Sequence, residues 1–245
     1  MLLSIEIIGW IAAILIVVVG LPQLVYISKV KKAENLALSS YWIFNLSLLL
    51  FSLYGFFLGL SQLVFAELAG SIIFSATLFV MIKYWNSNEM SHFKRKLNYA
   101  LILFILIIII IISLLHIINF YVDANSLLDQ NSNAVKVIQA LLAMFAPFIG
   151  TLAFLPQTIK GIKEKNLFSL PFFFVADVFL FNTFWIIVWV LRIHAYDLGL
   201  YGNMSFVFKN TSILSLILQS VSLIIAALQF GFWIRDVKGK KIIWF

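Results

Sequence analysis

The chain has 245 residues, 63% of them hydrophobic and 11% charged, with a mean hydropathy of +1.07 and a formal charge of +7. Soluble domains are about half apolar and about a quarter charged, so most of this surface must face lipid or other helices, which excludes nucleic-acid binding and soluble enzymology together. Zero cysteines exclude disulfides, iron–sulfur clusters and thiol catalysis, and His92, His116 and His194 are spread too widely to suggest a zinc site.

A spanning helix takes about 20 residues. Apolar runs at 5–28, 36–59, 62–84, 97–119, 134–159, 167–191 and 206–234 predict seven spans and leave no room for a separate soluble domain. No basic stretch precedes the first run and no small-x-small site ends it, so it is expected to be a retained helix rather than a signal peptide. Span 4 is nearly all Leu and Ile from Leu101 to Ile112, as expected of a helix facing lipid. Fourteen of the 17 basic residues follow spans 1, 3, 5 and 7, whereas Lys136, Arg192 and Lys209 fall on the other side. The positive-inside rule then predicts an outside N-terminus and a cytosolic C-terminus, and topology alone accounts for the net charge.

Two stretches repeat. Span 1 ends Gly20-Leu21-Pro22-Gln23-Leu24-Val25, followed by lysines, Asn35-Leu36 and Ser39-Ser40; span 5 ends Phe154-Leu155-Pro156-Gln157-Thr158-Ile159, followed by lysines, Asn166-Leu167 and Ser169. Each unit has three spans, so a second unit joined directly would be inverted, yet both Pro-Gln loops are basic. Span 4 restores the orientation. The predicted fold is an all-α membrane protein with two parallel three-helix repeats around a linker: residues 1–90, an inverting helix and external loop at 91–133, and 134–245 with a basic tail.

These residues resemble the PQ-loop family, which includes the SWEET sugar transporters, cystinosin and cationic amino-acid exporters. The resemblance covers nearly the whole chain and implies a seven-helix carrier, neither an enzyme nor a cofactor protein, built from parallel repeats of the kind described for SWEETs. The family's Trp-x-x-Tyr-Gly ending is half present as Leu53-Tyr54-Gly55 and decayed in the second unit to Trp189-Val190-Leu191. Where relatives carry asparagines in the third helix of each repeat, this chain has Glu67 and Asn210, a departure from a plain sugar carrier.

Proline removes an amide donor and clashes with the carbonyl four residues back, so Pro22 and Pro156 are expected to kink spans 1 and 5 about a turn from the cytosolic end. Gln23 and Gln157 are expected to supply the freed carbonyls with a donor, making each kink a hinge; a static packing kink is the alternative. Pro147, near the centre of span 5, has no counterpart in span 1.

Polar residues at helical spacing mark inward faces. Span 7 carries Ser212, Ser215, Gln219, Ser222, Ala226 and Gln229; span 3 Glu67, Gly70, Ser71 and Ser75; span 2 Tyr41, Asn45, Ser52, Gly55 and Gly59. Packing through small residues is the alternative reading. Asp177 is expected near the bilayer midplane, where a carboxylate costs about 2.5–3.5 kcal/mol on insertion scales. No Lys or Arg is expected at mid-depth, so Asp177 is a candidate proton carrier or ligand for a cationic solute, the alternative being a permanently protonated structural residue. Asn45 is expected at a similar depth, facing the same cavity. The candidate solute-binding or proton-coupling set is thus Asp177, Asn45, Glu67, Gln219 and Ser215, with Pro22, Gln23, Pro156 and Gln157 as hinges.

The leading expectation is a secondary transporter for a sugar or amino acid, working by alternating access in contact with the bilayer and coupled to protons if Asp177 titrates. The alternative is a non-transporting membrane receptor or scaffold; such a receptor would need basic residues in its cavity. A retinal photoreceptor is excluded because 210–234 holds no lysine. Intramembrane proteolysis lacks support, since neither Gly-x-Ser-x-Gly nor paired intramembrane aspartates occur, and His116 reads as a boundary residue. Richness in Ile, Lys, Asn and Phe points to an AT-rich bacterial genome and so to the plasma membrane. The sequence is compatible with an oligomer and does not specify one.

Overall fold

In lipid a chain must satisfy its own backbone hydrogen bonds, so each long apolar run becomes a helix. The computed structural model describes residues 1–33, 36–86, 90–119, 132–200, 206–240 and 242–244. Seven segments are helices long and apolar enough to cross a membrane, and there is no strand among the described residues. Span 1 consists of α1 (Leu2–Val18) and α2 (Leu21–Val30), span 2 of α3 (Leu38–Leu58), span 3 of α4 (Ser61–Lys83) and span 4 of α5 (His92–Ile117). Span 5 consists of α6 (Asn133–Ala153) and α7 (Leu155–Glu164), span 6 of α8 (Phe172–Asp197) and span 7 of α9 (Phe206–Val237). Asn35 and most of the loop between spans 4 and 5 lie outside the described residues.

The two Pro-Gln sites are breaks rather than kinks. Pro22 and Pro156 each take the second position of a new ten-residue helix. There the missing N–H has no helical acceptor to lose, so proline costs the helix nothing. Both short helices end on a left-handed lysine, Lys31 at φ 55° and Lys165 at φ 52°. The breaks therefore sit about 12 Å from the helix end at 1.5 Å per residue, deeper than the single turn expected. A Cβ on Gly20 would lie 2.8 Å from Ile73 and 2.9 Å from Phe74, so the first break approaches span 3 as closely as only glycine allows.

Span 1 packs on spans 3 and 6, span 2 on spans 3 and 5, and span 7 on spans 5 and 6. Span 4 touches only spans 2 and 3 among the described residues. Its buried edge is Ile102, Ile105, Ile109 and Ile112, while Leu101, Leu103 and Phe104 are exposed. His116 at its far end is fully buried, with Nε2 3.0 Å from the Ser61 hydroxyl. Lys160 Nζ donates to Leu36 O at 3.2 Å and Leu167 N–H to Asp236 Oδ2 at 3.3 Å. These contacts gather the loops after spans 1 and 5 and the end of span 7 at one lysine-rich end. At the opposite end, Gln139 Nε2 at the start of span 5 donates to Phe57 O at the end of span 2, at 2.7 Å.

Candidate functional site

The polar stripes do face inward: Ser212, Ser215, Gln219, Ser222, Ala226 and Gln229 of span 7 are all buried, as are Glu67, Ser71 and Ser75 of span 3 and Tyr41, Asn45 and Ser52 of span 2. Between them lies a narrow cavity with a volume of about 30 Å³ measured for the centres of water-sized bodies. Spans 1 to 3 contribute Ile16, Phe44, Ser47, Phe51, Leu63 and Glu67; spans 5 to 7 contribute Pro147, Gly150, Thr151, Phe181, Trp185, Trp189, Gln219 and Ser222. Span 4 contributes nothing. An aromatic, concave site with a few polar groups is the usual form of a small-molecule pocket.

Of the candidate set, Glu67 and Gln219 reach this cavity. Glu67 is 1% exposed, and its Oε2 has no hydrogen-bond partner. It is buried inside the bundle. Gln219 is held by its neighbour: its Nε2 donates to Asn182 Oδ1 at 2.6 Å, and Asn182 Nδ2 donates to Val178 O at 2.6 Å.

Asn45 does not line the cavity. Its Nδ2 donates to Ser75 Oγ at 3.3 Å and its Oδ1 accepts from Ser71 Oγ at 3.1 Å, so it joins span 2 to span 3. Ser215 is buried beside the Tyr54 hydroxyl, and Thr211 and Arg192 face the same group.

Asp177 also stands outside the cavity, and it is not at mid-span. Pro171 delays the start of α8 to Phe172, which makes Asp177 its sixth residue, near the lysine-rich end. It is 7% exposed, and its Oδ2 has no hydrogen-bond partner. The expectation that Asp177 and Asn45 share one cavity is therefore corrected on both counts.

Arg192 is corrected too. The helix runs on to Asp197, so Arg192 lies inside span 6, 6% exposed, with its guanidinium 5.3 Å from the Trp189 ring centre. Asp177, Phe181, Trp185, Trp189 and Arg192 fall at steps of three and four on α8. That spacing is visible in the sequence and marks the cavity's aromatic wall, which polar periodicity does not reveal.

Toward the lysine-rich end the cavity is closed by aromatic rings. Phe44 lies 4.3 Å from Phe74 and 5.0 Å from Phe154 between ring centres, and Phe154 lies 5.9 Å from Phe174. Gln157 sits at their edge. Its Oε1 accepts from Ala37 N–H at 2.5 Å, and its own backbone N–H donates to Ser40 Oγ at 2.9 Å. The glutamine does not patch its own helix, as expected from the proline chemistry; it ties the span 5 break to the start of span 2. Gln23 is fully buried with neither side-chain atom bonded. The residues 14 and 17 positions after Gln157, where Ala37 and Ser40 stand after Gln23, are Pro171, which has no N–H, and Phe174, which has no hydroxyl.

No curated protein and no solved structure matches the chain. Residues 4–64, from span 1 through span 2 to the first turn of span 3, match the family described as PQ loop repeat.

Proposed function

We propose that the protein is a secondary transporter that moves a small polar solute of the sugar or amino-acid class across a bilayer by alternating access. The observation that carries this reading is the cavity itself. Six spans line it, three from each side of the fourth helix, and rings seal it toward one end. The helix breaks at Pro22 and Pro156 lie between that seal and the lysine-rich end, where a change of helix direction would open it.

In this reading the arrangement is 3 + 1 + 3, two parallel repeats joined by span 4. Supporting it are the matched lengths of α2 and α7, their matched left-handed lysines, and the pairing of span 1 with span 6 as span 2 pairs with span 5. The lysine-rich end is cytosolic by the positive-inside rule, and the membrane is a bacterial plasma membrane. Asp177, a buried acid between the cavity and that end, is the group assigned to proton coupling. The test is counterflow into proteoliposomes of pooled labelled sugars and amino acids, with and without a pH gradient. Exchange of at least one solute above empty liposomes is expected, and exchange of none sinks the reading.

A further inference from the structure

Resting on the transporter reading, we propose that residues 242–244, which follow span 7, form a strap that holds the ring seal shut and whose release opens the cavity at the lysine-rich end. Span 7 stops at Val237, and Gly239, at φ 75°, turns the chain back toward span 6. Such a left-handed backbone suits glycine. Lys240 then sits over the Phe168 ring, 3.5 Å from its centre, and the segment beyond lies across the start of α8. There Ile243 O accepts from the Phe172 N–H at 2.7 Å, and Trp244 O faces the Phe173 N–H at 3.5 Å. The Trp244 ring lies 5.3 Å from that of Phe172 and 5.9 Å from that of Phe173.

The strap supplies what the start of α8 lacks. The first N–H groups of a helix have no acceptor within it, and the N-cap here is Pro171, whose side chain can accept nothing. At the start of span 2 the corresponding need is met by Gln157, whose Oε1 accepts from the Ala37 N–H. Gln23 cannot do the same for span 6, because Pro171 stands in the place of Ala37 and has no N–H. The two halves are therefore closed by different means: span 2 by a glutamine inside the bundle, span 6 by a segment laid on its surface. The strap reaches the seal through the next residue, since the Phe174 ring packs 5.9 Å from that of Phe154. Phe172 and Phe173 hold the strap while Phe174 closes the cavity, all within the first turn of α8. Release costs little, because Ile242 is 38% and Trp244 52% exposed. Without the strap the uncapped turn frays and Phe174 loses its fixed place in the seal.

The test places a cysteine at Ser47, in the cavity lining of this Cys-free chain, and measures its labelling by an impermeant thiol reagent applied to the lysine-rich side of sealed membrane vesicles. Removing residues 242–245 should speed labelling by about tenfold, the worth of a hydrogen bond and a ring contact. Trp244→Ser keeps the backbone and should speed it by a smaller factor, which decides the matter if the shortened chain does not fold. A rate that rises in neither variant, or that falls, overturns the inference. So does an equal rise with reagent on the opposite side, which would mean a general loosening of the bundle. Counterflow in the chain without the cysteine keeps the two readings apart. Exchange of no solute, with strap-dependent labelling, overturns transport and leaves the strap standing; exchange with strap-independent labelling overturns the strap and leaves transport standing.

Discussion

The side chain of Gln157 takes the backbone N–H of Ala37 at 2.5 Å, while Gln23, the same residue in the same place on the other broken helix, is buried with both polar atoms unbonded. The two substitutions should therefore differ in sign. Gln157→Leu strips a half-buried N–H of its acceptor and is expected to destabilise by about 1 kcal/mol. Gln23→Leu removes an amide that has nothing to bond and should leave the melting temperature unchanged or raise it. Thermal unfolding in detergent measures both, and an equal loss in the two variants would show that Gln23 has a partner of its own.

Pro22→Ala and Pro156→Ala let the helices run through the breaks, since alanine favours the helix. Membrane insertion should persist while solute exchange slows. If both variants exchange at the parental rate, the breaks are packing features and the opening of the ring seal has another cause.

The seven spans and their inward faces were legible because both depend on local periodicity, which the bilayer enforces strongly. Depth along a span was less so. The apolar run continues upstream through Leu167 while Pro171 postpones the helix, so Asp177 lies nearer the span end than the run implies; the run stops at Leu191 while the helix continues, so Arg192 lies inside it. The destination of Gln157 was beyond reach for a different reason: its partner is 120 positions away in sequence, and nothing near Ala37 advertises an N–H in need of an acceptor. Trp185 and Trp189 carry a readable spacing, but an aromatic pair on one helix face reads equally as core until a cavity is seen beside it.

Asn45 provides a check on that distinction between lining and packing. Its two bonds to Ser71 and Ser75 hold span 2 against span 3, so Asn45→Ala should lower stability by about 1 kcal/mol, in the range found for interhelical hydrogen bonds in membranes. Solute affinity should be retained. A selective loss of affinity at unchanged stability would return Asn45 to the binding site.

Orientation can be read directly because the chain lacks cysteine. Single cysteines at Ser91, at the start of span 4, and at Ser126, outside the described residues, should respond differently to an impermeant thiol reagent added to intact cells. Labelling is expected only at Ser126. Labelling at Ser91 reverses the topology and removes the reason for calling the lysine-rich end cytosolic.

Asp177 is the most exposed part of the mechanism to refutation. It stands outside the cavity, near the lysine-rich end, with an unbonded carboxyl oxygen and no salt bridge among the described residues. A group there cannot hold the solute in the cavity, but it can take up and release a proton when the ring seal opens. Asp177→Asn keeps the size and hydrogen-bonding capacity and cannot titrate. Uptake driven by a pH gradient should therefore vanish while counterflow exchange, which needs no net proton movement, survives. Loss of both would mean that Asp177 contacts the solute or holds the gate, against its place outside the cavity. Retention of both would leave it a structural residue, and the protein would then be a facilitator driven by the solute's own gradient.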